Sequence, residues 1–452
     1  MKSRLVFWFA AALLILAQFQ DRRWSGLEVF DWDAGGYYSY LPATFLYNDP
    51  GRVDSLARLV QQRWPPDRHH ALNGALGIFQ LANGRYATKY PLGVAVGELP
   101  WFGGAHLFAR LHGDPPNGYS RPYQQAIMIG GLLYSILGLW VLRKLLRRYY
   151  PDAVVAWTLA GIALGTNFFV YASYEAALSH AVLFLWQASL LYCTARWYEG
   201  PRRRWAAGIG LFLGLATLCR LTEALYVLIP LTWGLSSAAA WRQRPALWGR
   251  YLDQLALAAG LGLAVVSAQS FFWHAVSGHW VLDGYEGESF HFSHPHVLDG
   301  LFSFEKGWLL YTPLVAVVLL AGLPRLRRYV PAALPPLVVL LPALLYLTFS
   351  WGQWGYGWTF SARPLVSIYP LLALPLGALL AAVPAPSARA LSGVAVRALV
   401  LGCIVLNLWQ TWQYEGGILQ GEGYTAELYK ERFFWRNFPP GPSSPAPAPT
   451  AW

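Results

Sequence analysis

The chain has 452 residues, 56% of them hydrophobic and only 13% charged, with a mean hydropathy of +0.33 and a formal net charge of +11. A soluble domain is nearer one quarter charged, so this composition excludes an ordinary soluble protein and indicates an integral membrane protein. The positive charge does not indicate nucleic acid, because Lys and Arg sit in short runs between apolar stretches, as in cytoplasmic loops.

The first stretch, "MKSRLVFWFAAALLILAQFQ", has the basic start and short apolar run of a signal peptide but no small-x-small cleavage site. It reads as an uncleaved first helix. Further apolar runs near 123–142, 153–171, 181–198, 206–220, 222–240, 252–276, 307–323, 331–350, 364–383 and 393–412 bring the expectation to about eleven spans, counting one at 5–20. The basic runs "RKLLRR" (143–148), "PRRRW" (201–205), "WRQRPALWGR" (241–250) and "RLRR" (325–328) then fall on one side, as the positive-inside rule requires, with the N-terminus cytoplasmic. Residues 91–111 are apolar enough to suggest another span. Pro100, Gly103 and Gly104 suit a straight spanning helix poorly, so an interfacial helix is expected there.

Long outer loops are expected at 21–122 and 277–306, and short ones at 173–180 and 351–363. Beyond Gln413, "AELYKERFFWRNF" reads as an outer interfacial tail over 413–438, and the Pro-rich 439–452 as disordered. Cys193, Cys219 and Cys403 lie far apart in apolar stretches, which gives neither a disulfide framework nor a CxxC metal site. The absence of a visible internal repeat disfavours transporters built from duplicated halves.

The unusual ionisable residues gather at the outer ends of these runs: Asp31, Asp33, Lys89, Glu175, His180, Arg220, Glu223, Asp283, Glu286, Glu288, Lys306 and Arg363. Singly, each has a plain structural reading. Asp31 and Asp33 suit a solvated turn, Lys89 a snorkelling side chain, Arg220 and Glu223 an i, i+3 ion pair, and Glu175 and His180 helix caps. His291, His294 and His296 near Glu288 resemble metal ligands, but their spacing fits no tight motif. Jointly, charges at membrane depth on one side suggest a single outward-facing site. A carboxylate there could accept a proton from an acceptor hydroxyl, and fixed cations such as Lys89 and Arg363 could stabilise a phosphate leaving group.

Several stretches carry a resemblance. "DWDAGGYYSYLP" in the first outer loop, followed by "KYPLG" (89–93), is similar to the acidic residue and later "[HK]-x-P-[LI]" element of the GT-C superfamily, which takes sugar from polyprenyl-phosphate donors. Protein O-mannosyltransferases and lipid A aminoarabinose transferases are among its members. "GTNFFVYASYEAALSHA" (165–181), "GLATLCRLTEAL" (214–225) and "WGQWGYGWTFSARPLVSIYPLLALPL" (351–376) also look like stretches of its bacterial members.

The resemblance implies an all-α, GT-C-like transmembrane bundle over 1–412, whose long first outer loop contains interfacial helices. It implies that Asp33, and secondly Asp31, acts as base or acceptor-positioning group, and that Lys89 lies near the donor phosphate. Arg363, Glu175, His180, Arg220, Glu288 and Tyr285 complete the expected site, with 283–308 covering it. Gly35 and Gly36 are expected to let the backbone turn closely beneath the substrate, and Tyr37 and Tyr38 suit either a membrane anchor or the pocket wall. No cofactor is assigned. A divalent metal is left open, since Asp31, Asp33 and Glu288 could hold one. The expectation is an inverting sugar transferase at the outer face of a bacterial-type inner membrane, with a glycan, lipid or protein acceptor. A transporter or flippase of an anionic lipid or small solute is the alternative.

Overall fold

The computed structural model describes residues 1–20, 29–58, 77–285, 287–383, 391–419 and 423–436. Helices follow from the apolar runs: α1 (Lys2–Gln20), α5 (Arg121–Leu146), α6 (Asp152–Leu164), α8 (Ser179–Glu199), α9 (Arg203–Cys219), α12 (Leu252–Ser277), α17 (Leu334–Phe349), α18 (Tyr369–Ala382) and α19 (Leu391–Glu415). Between them lie the shorter α7 (Phe168–Ala172), α10 (Leu228–Thr232), α11 (Ala238–Arg250), α13 (Val297–Phe302), α14 (Trp308–Tyr311), α15 (Pro313–Val317) and α16 (Leu323–Tyr329). Among the described residues six helical stretches are long and apolar enough to cross a membrane: Lys2–Gln20, Arg121–Leu146, Leu252–Ser277, Pro331–Phe349, Arg363–Ala382 and Gly393–Glu415.

Three expected spans differ from a single straight helix. The run 153–171 stops at Leu164, turns through 165–167 and resumes as α7. The run 222–240 is a 3-10 turn (Leu221–Val227) and the short α10, ending where Trp233 leaves helical geometry and Gly234 adopts a φ of +78°. The run 307–323 is a chain of short helical pieces with a π turn at Val318–Gly322, and it continues through the basic "RLRR" into α16. "WRQRPALWGR" likewise is helical, forming most of α11 rather than an open loop.

The largest core is built from side chains contributed by most of these helices, including Phe168, Phe184, Trp308, Leu365 and Tyr369. Close approach of α9 to α12 depends on glycine: a Cβ at Gly210 would lie 2.1 Å from the Ala258 carbonyl oxygen. At the N-terminus, the Asp152 carboxylate accepts hydrogen bonds from the Met1 amino group (3.0 Å) and the Ser3 amide (3.1 Å), fixing α1 against the start of α6.

The described residues of the first long loop are structured. It contains α2 (Trp32–Tyr38), α3 (Tyr40–Phe45), an antiparallel hairpin of β1 (Ile78–Gln80) and β2 (Tyr86–Thr88), and α4 (Gly93–His112). These elements share a second core of Phe30, Tyr38, Phe102, Tyr119 and Tyr123, in which the Phe30 and Tyr38 rings stack at 4.0 Å. The expected interfacial segment is thus α4, which holds Pro100 inside it and ends at Gly113 in the left-handed conformation. Its face bearing Val96, Leu99, Leu107 and Leu111 is exposed.

In the tail, α20 (Ala426–Arg432) is capped by the Thr425 side chain and docks on the bundle through Tyr429, whose ring meets Phe304 and Tyr311. The segment 439–452, expected to be disordered, lies outside the described residues, as does Glu286.

Candidate active site

Two aspartates two residues apart end in different places. Trp32, between them, has a φ of +55°, a left-handed conformation rare for a bulky residue, and it starts α2. Asp31 stays exposed ahead of the helix, whereas Asp33 turns inward. Its Oδ2 pairs with Arg363 Nη2 at 2.7 Å, and its Oδ1 accepts a hydrogen bond from the Tyr90 hydroxyl at 2.5 Å. Gly35 and Gly36 lie buried within α2, not at a turn beneath a substrate, because the bend is made earlier, at Trp32.

Lys89 and Tyr90 are delivered by the hairpin. Arg85 and Asn83 donate to the last carbonyls of α12, Ala275 (2.7 Å) and Val276 (2.9 Å), and Arg85 also pairs with Asp49. The chain leaves β2 directly into Lys89, whose Nζ contacts Glu288 Oε1 at 2.5 Å and lies 5.5 Å from the Tyr285 ring centroid. Tyr40 donates to the Tyr90 carbonyl (2.6 Å), which fixes the turn. Tyr37 and Tyr90 face each other at 4.6 Å and, with Val94, Val182, Leu183 and Cys219, form an apolar wall.

The opposite side comes from the bundle. Arg220 has extended backbone between α9 and the following 3-10 turn, so it does not form the expected i, i+3 pair with Glu223. Instead its Nη2 donates to Ser179 Oγ at 2.7 Å and lies over the His180 ring, 3.2 Å from Nε2. Glu223 turns the other way and accepts from Gln187 (2.7 Å) in the interior. His180 is buried against Tyr171. Glu175, half-buried, is within electrostatic reach of both Arg363 and Tyr171.

Arg363 follows the tryptophan- and glycine-rich segment 351–362, which contains two further left-handed non-glycine residues, Tyr356 and Ser361. That segment is held by Lys306, a fully buried lysine whose ammonium donates to the carbonyls of Gly357 (2.6 Å) and Thr359 (3.0 Å).

The structure therefore brings Asp33, Lys89, Arg363, Arg220, His180, Glu288 and Tyr285 into one cluster with Glu175 at its edge, and leaves Asp31 outside it. The electrostatics agree with the distances. Burial alone would push the Asp33 carboxyl up, but Arg363, the Tyr90 hydroxyl, Arg220 and Lys89 together hold it below the ordinary carboxylate range. Sequence reasoning did not single out Tyr90 or Ser179, although Tyr90 stands inside "KYPLG" beside the residue that was chosen.

Among the described residues no three His, Cys, Asp or Glu groups are close enough to hold an ion. His294 contacts Ser293 and His296 contacts Asp299, while Glu288 is committed to Lys89.

Residues 121–270 match the family model of dolichyl-phosphate-mannose-protein mannosyltransferases. No curated protein sequence matches the chain. Among solved structures, ArnT from Cupriavidus metallidurans in the apo state is similar with a TM-score of 0.52 and 14% identity, covering 91% of this chain and 75% of that one. The apo oligosaccharyltransferase of Archaeoglobus fulgidus is similar with a TM-score of 0.51 and 12% identity, covering 98% of this chain, which spans 61% of its length. The chain thus shares the fold of these two membrane glycosyltransferases, and its segment 121–270 is similar to the mannosyltransferase family.

Proposed function

We propose that the protein transfers a sugar from a polyprenyl-phosphate donor to a hydroxyl-bearing acceptor, with inversion, at the outer face of a bacterial-type inner membrane. The observation that carries this reading is the Asp33 carboxylate, held ionised by Arg363 and Tyr90 within reach of Lys89 and Arg220, at the loop-bearing end of an apolar bundle. The mannosyltransferase family match supports a polyprenyl-phosphate sugar as donor class.

In this mechanism the acceptor oxygen attacks the anomeric carbon from the face opposite the phosphate. The bond from that carbon to the phosphate oxygen breaks, and its electron pair leaves with the lipid phosphate. The acceptor proton passes to Asp33. Because Arg363 and Tyr90 weaken Asp33 as a base, the proton moves late, once bonding to the anomeric carbon has acidified the hydroxyl; before that, the carboxylate orients the acceptor. Lys89 and Arg220 offset the negative charge developing on the phosphate.

The test is transfer by the purified protein in nanodiscs, supplied with polyprenyl-phosphate sugars and a membrane extract, beside a Lys89→Ala variant. Sugar transfer that the variant loses through a raised donor KM is the expected result. After reconstitution into sealed vesicles, movement of the intact lipid between leaflets without release of polyprenyl phosphate favours a flippase instead.

A further inference from the structure

The lysine assigned above to the donor phosphate already holds an anion of the protein's own. Glu288 reaches Lys89 at 2.5 Å, and both side chains are about four-fifths buried, at 21% and 23% exposure. Glu288 belongs to the second long loop, and its segment is attached in two different ways. On one side the attachment is backbone. The His291 amide donates to the Ser350 carbonyl (2.6 Å), the Gly352 amide donates to the Ser289 carbonyl (2.9 Å), and Phe290 bridges Trp351. Toward Lys89 the polar attachment among the described residues is a side-chain ion pair, with the Tyr285 ring beside the ammonium and Gly284 laid on the Lys89 backbone. A Cβ at Gly284 would stand 2.8 Å from Lys89 Cα, so the segment packs closely there, and among the described residues no backbone hydrogen bond joins it to Lys89. Breaking one ion pair therefore frees Lys89 while the backbone seam at 350–352 persists.

We propose that Glu288 is a positioning residue that stands in for the donor's phosphate on Lys89, yields to it on binding, and returns to Lys89 to expel the lipid phosphate after transfer. This rests on the reading of Lys89 as a donor-phosphate ligand. The charges give the stand-in a purpose. A polyprenyl-phosphate sugar is a phosphodiester with one negative charge, whereas the released phosphate monoester carries about −1.5 to −2 at pH 7. A bare lysine would hold the product more tightly than the substrate. A carboxylate tethered beside it competes with both, and its contribution falls on the step where the more highly charged ligand must leave.

The experiment measures binding of undecaprenyl phosphate to the full-length protein in nanodiscs of zwitterionic lipid, with neutral undecaprenol as the control. Glu288→Gln should bind the phosphate about tenfold more tightly than wild type, as expected for losing a partly buried competing charge, with undecaprenol unaffected. Glu288→Asp, which withdraws the carboxylate by one methylene, should fall between. On a Lys89→Ala background Glu288→Gln should add nothing. In turnover, Glu288→Gln should lower both kcat and donor KM, because release slows. Wild-type selectivity for the phosphate with unchanged or weaker binding by both Glu288 variants overturns this inference and leaves the proposed function standing. No selectivity for phosphate over undecaprenol in any variant overturns the assignment of Lys89 and this inference with it.

Discussion

Replacing Arg363 by Met should weaken the way stability falls with acid. In the wild type, Asp33 and Arg363 meet at 2.7 Å with 23% and 16% of their side chains exposed. Breaking a fully buried pair costs about 3–5 kcal/mol, and the residual exposure lowers the expectation here to about 2–3 kcal/mol at neutral pH. The Asp33 carboxyl is held below its unfolded value of about 3.9, so the pair's stabilisation is fully present above that pH and is lost as pH falls through the lower folded value. Burial is the largest single influence on the Asp33 carboxyl and pushes it up, so losing Arg363, the strongest of the groups that oppose it, moves the folded value upward toward the unfolded one. The variant is then less stable at neutral pH and loses less than the wild type on acidification. Thermal unfolding in detergent between about pH 2 and 7 reads this directly. Adding Asp33→Asn to Arg363→Met should remove the remaining contribution of Asp33 to the pH profile and restore most of the lost stability. Strictly additive losses, with the same pH profile in wild type and variant, would refute the pairing and the electrostatic role given to it.

Tyr90→Phe removes the hydrogen bond to Asp33 and should slow transfer about tenfold, with the acidic limb of the pH–rate profile moved upward, which steady-state rates from pH 4 to 8 will reveal. Lys306→Met strands the carbonyls of Gly357 and Thr359, at about 1–3 kcal/mol for each group left unsatisfied; the segment 351–362 should then become accessible to limited proteolysis. Gly210→Ala forces α9 away from α12 and should cost about 1–3 kcal/mol in thermal unfolding, whereas Gly103→Ala, with open space around it, should be close to neutral.

What the sequence made legible depended on length and pattern. Runs as apolar as 121–146 and 252–277 specify long helices by themselves, and they appear at the expected positions. The runs 222–240 and 307–323 are broken, because Gly234 adopts a left-handed φ and the chain leaves helical geometry at Thr312 before Pro313 starts a new piece, local events that an average over a window does not register. At the site, position at the loop-bearing ends of the apolar runs was enough to gather Asp33, Lys89, Arg363, Arg220 and Glu288. It could not separate Asp33 from Asp31, since that depends on a strained φ at Trp32. Nor could it foresee that Arg220 would leave Glu223 for Ser179 and His180, because helical spacing applies only where the backbone is helical, and at 220 it is extended.

The most direct test of the account is a single-turnover measurement in nanodiscs with a labelled polyprenyl-phosphate sugar and its acceptor, comparing wild type with Asp33→Asn. The account predicts release of polyprenyl phosphate and sugar transfer by wild type. It predicts a rate at least about 100-fold lower in the variant, with donor binding retained, as expected when a group acting on the acceptor proton is lost. Transfer by Asp33→Asn at the wild-type rate would contradict it, as would wild-type protein that binds the donor and never releases the phosphate.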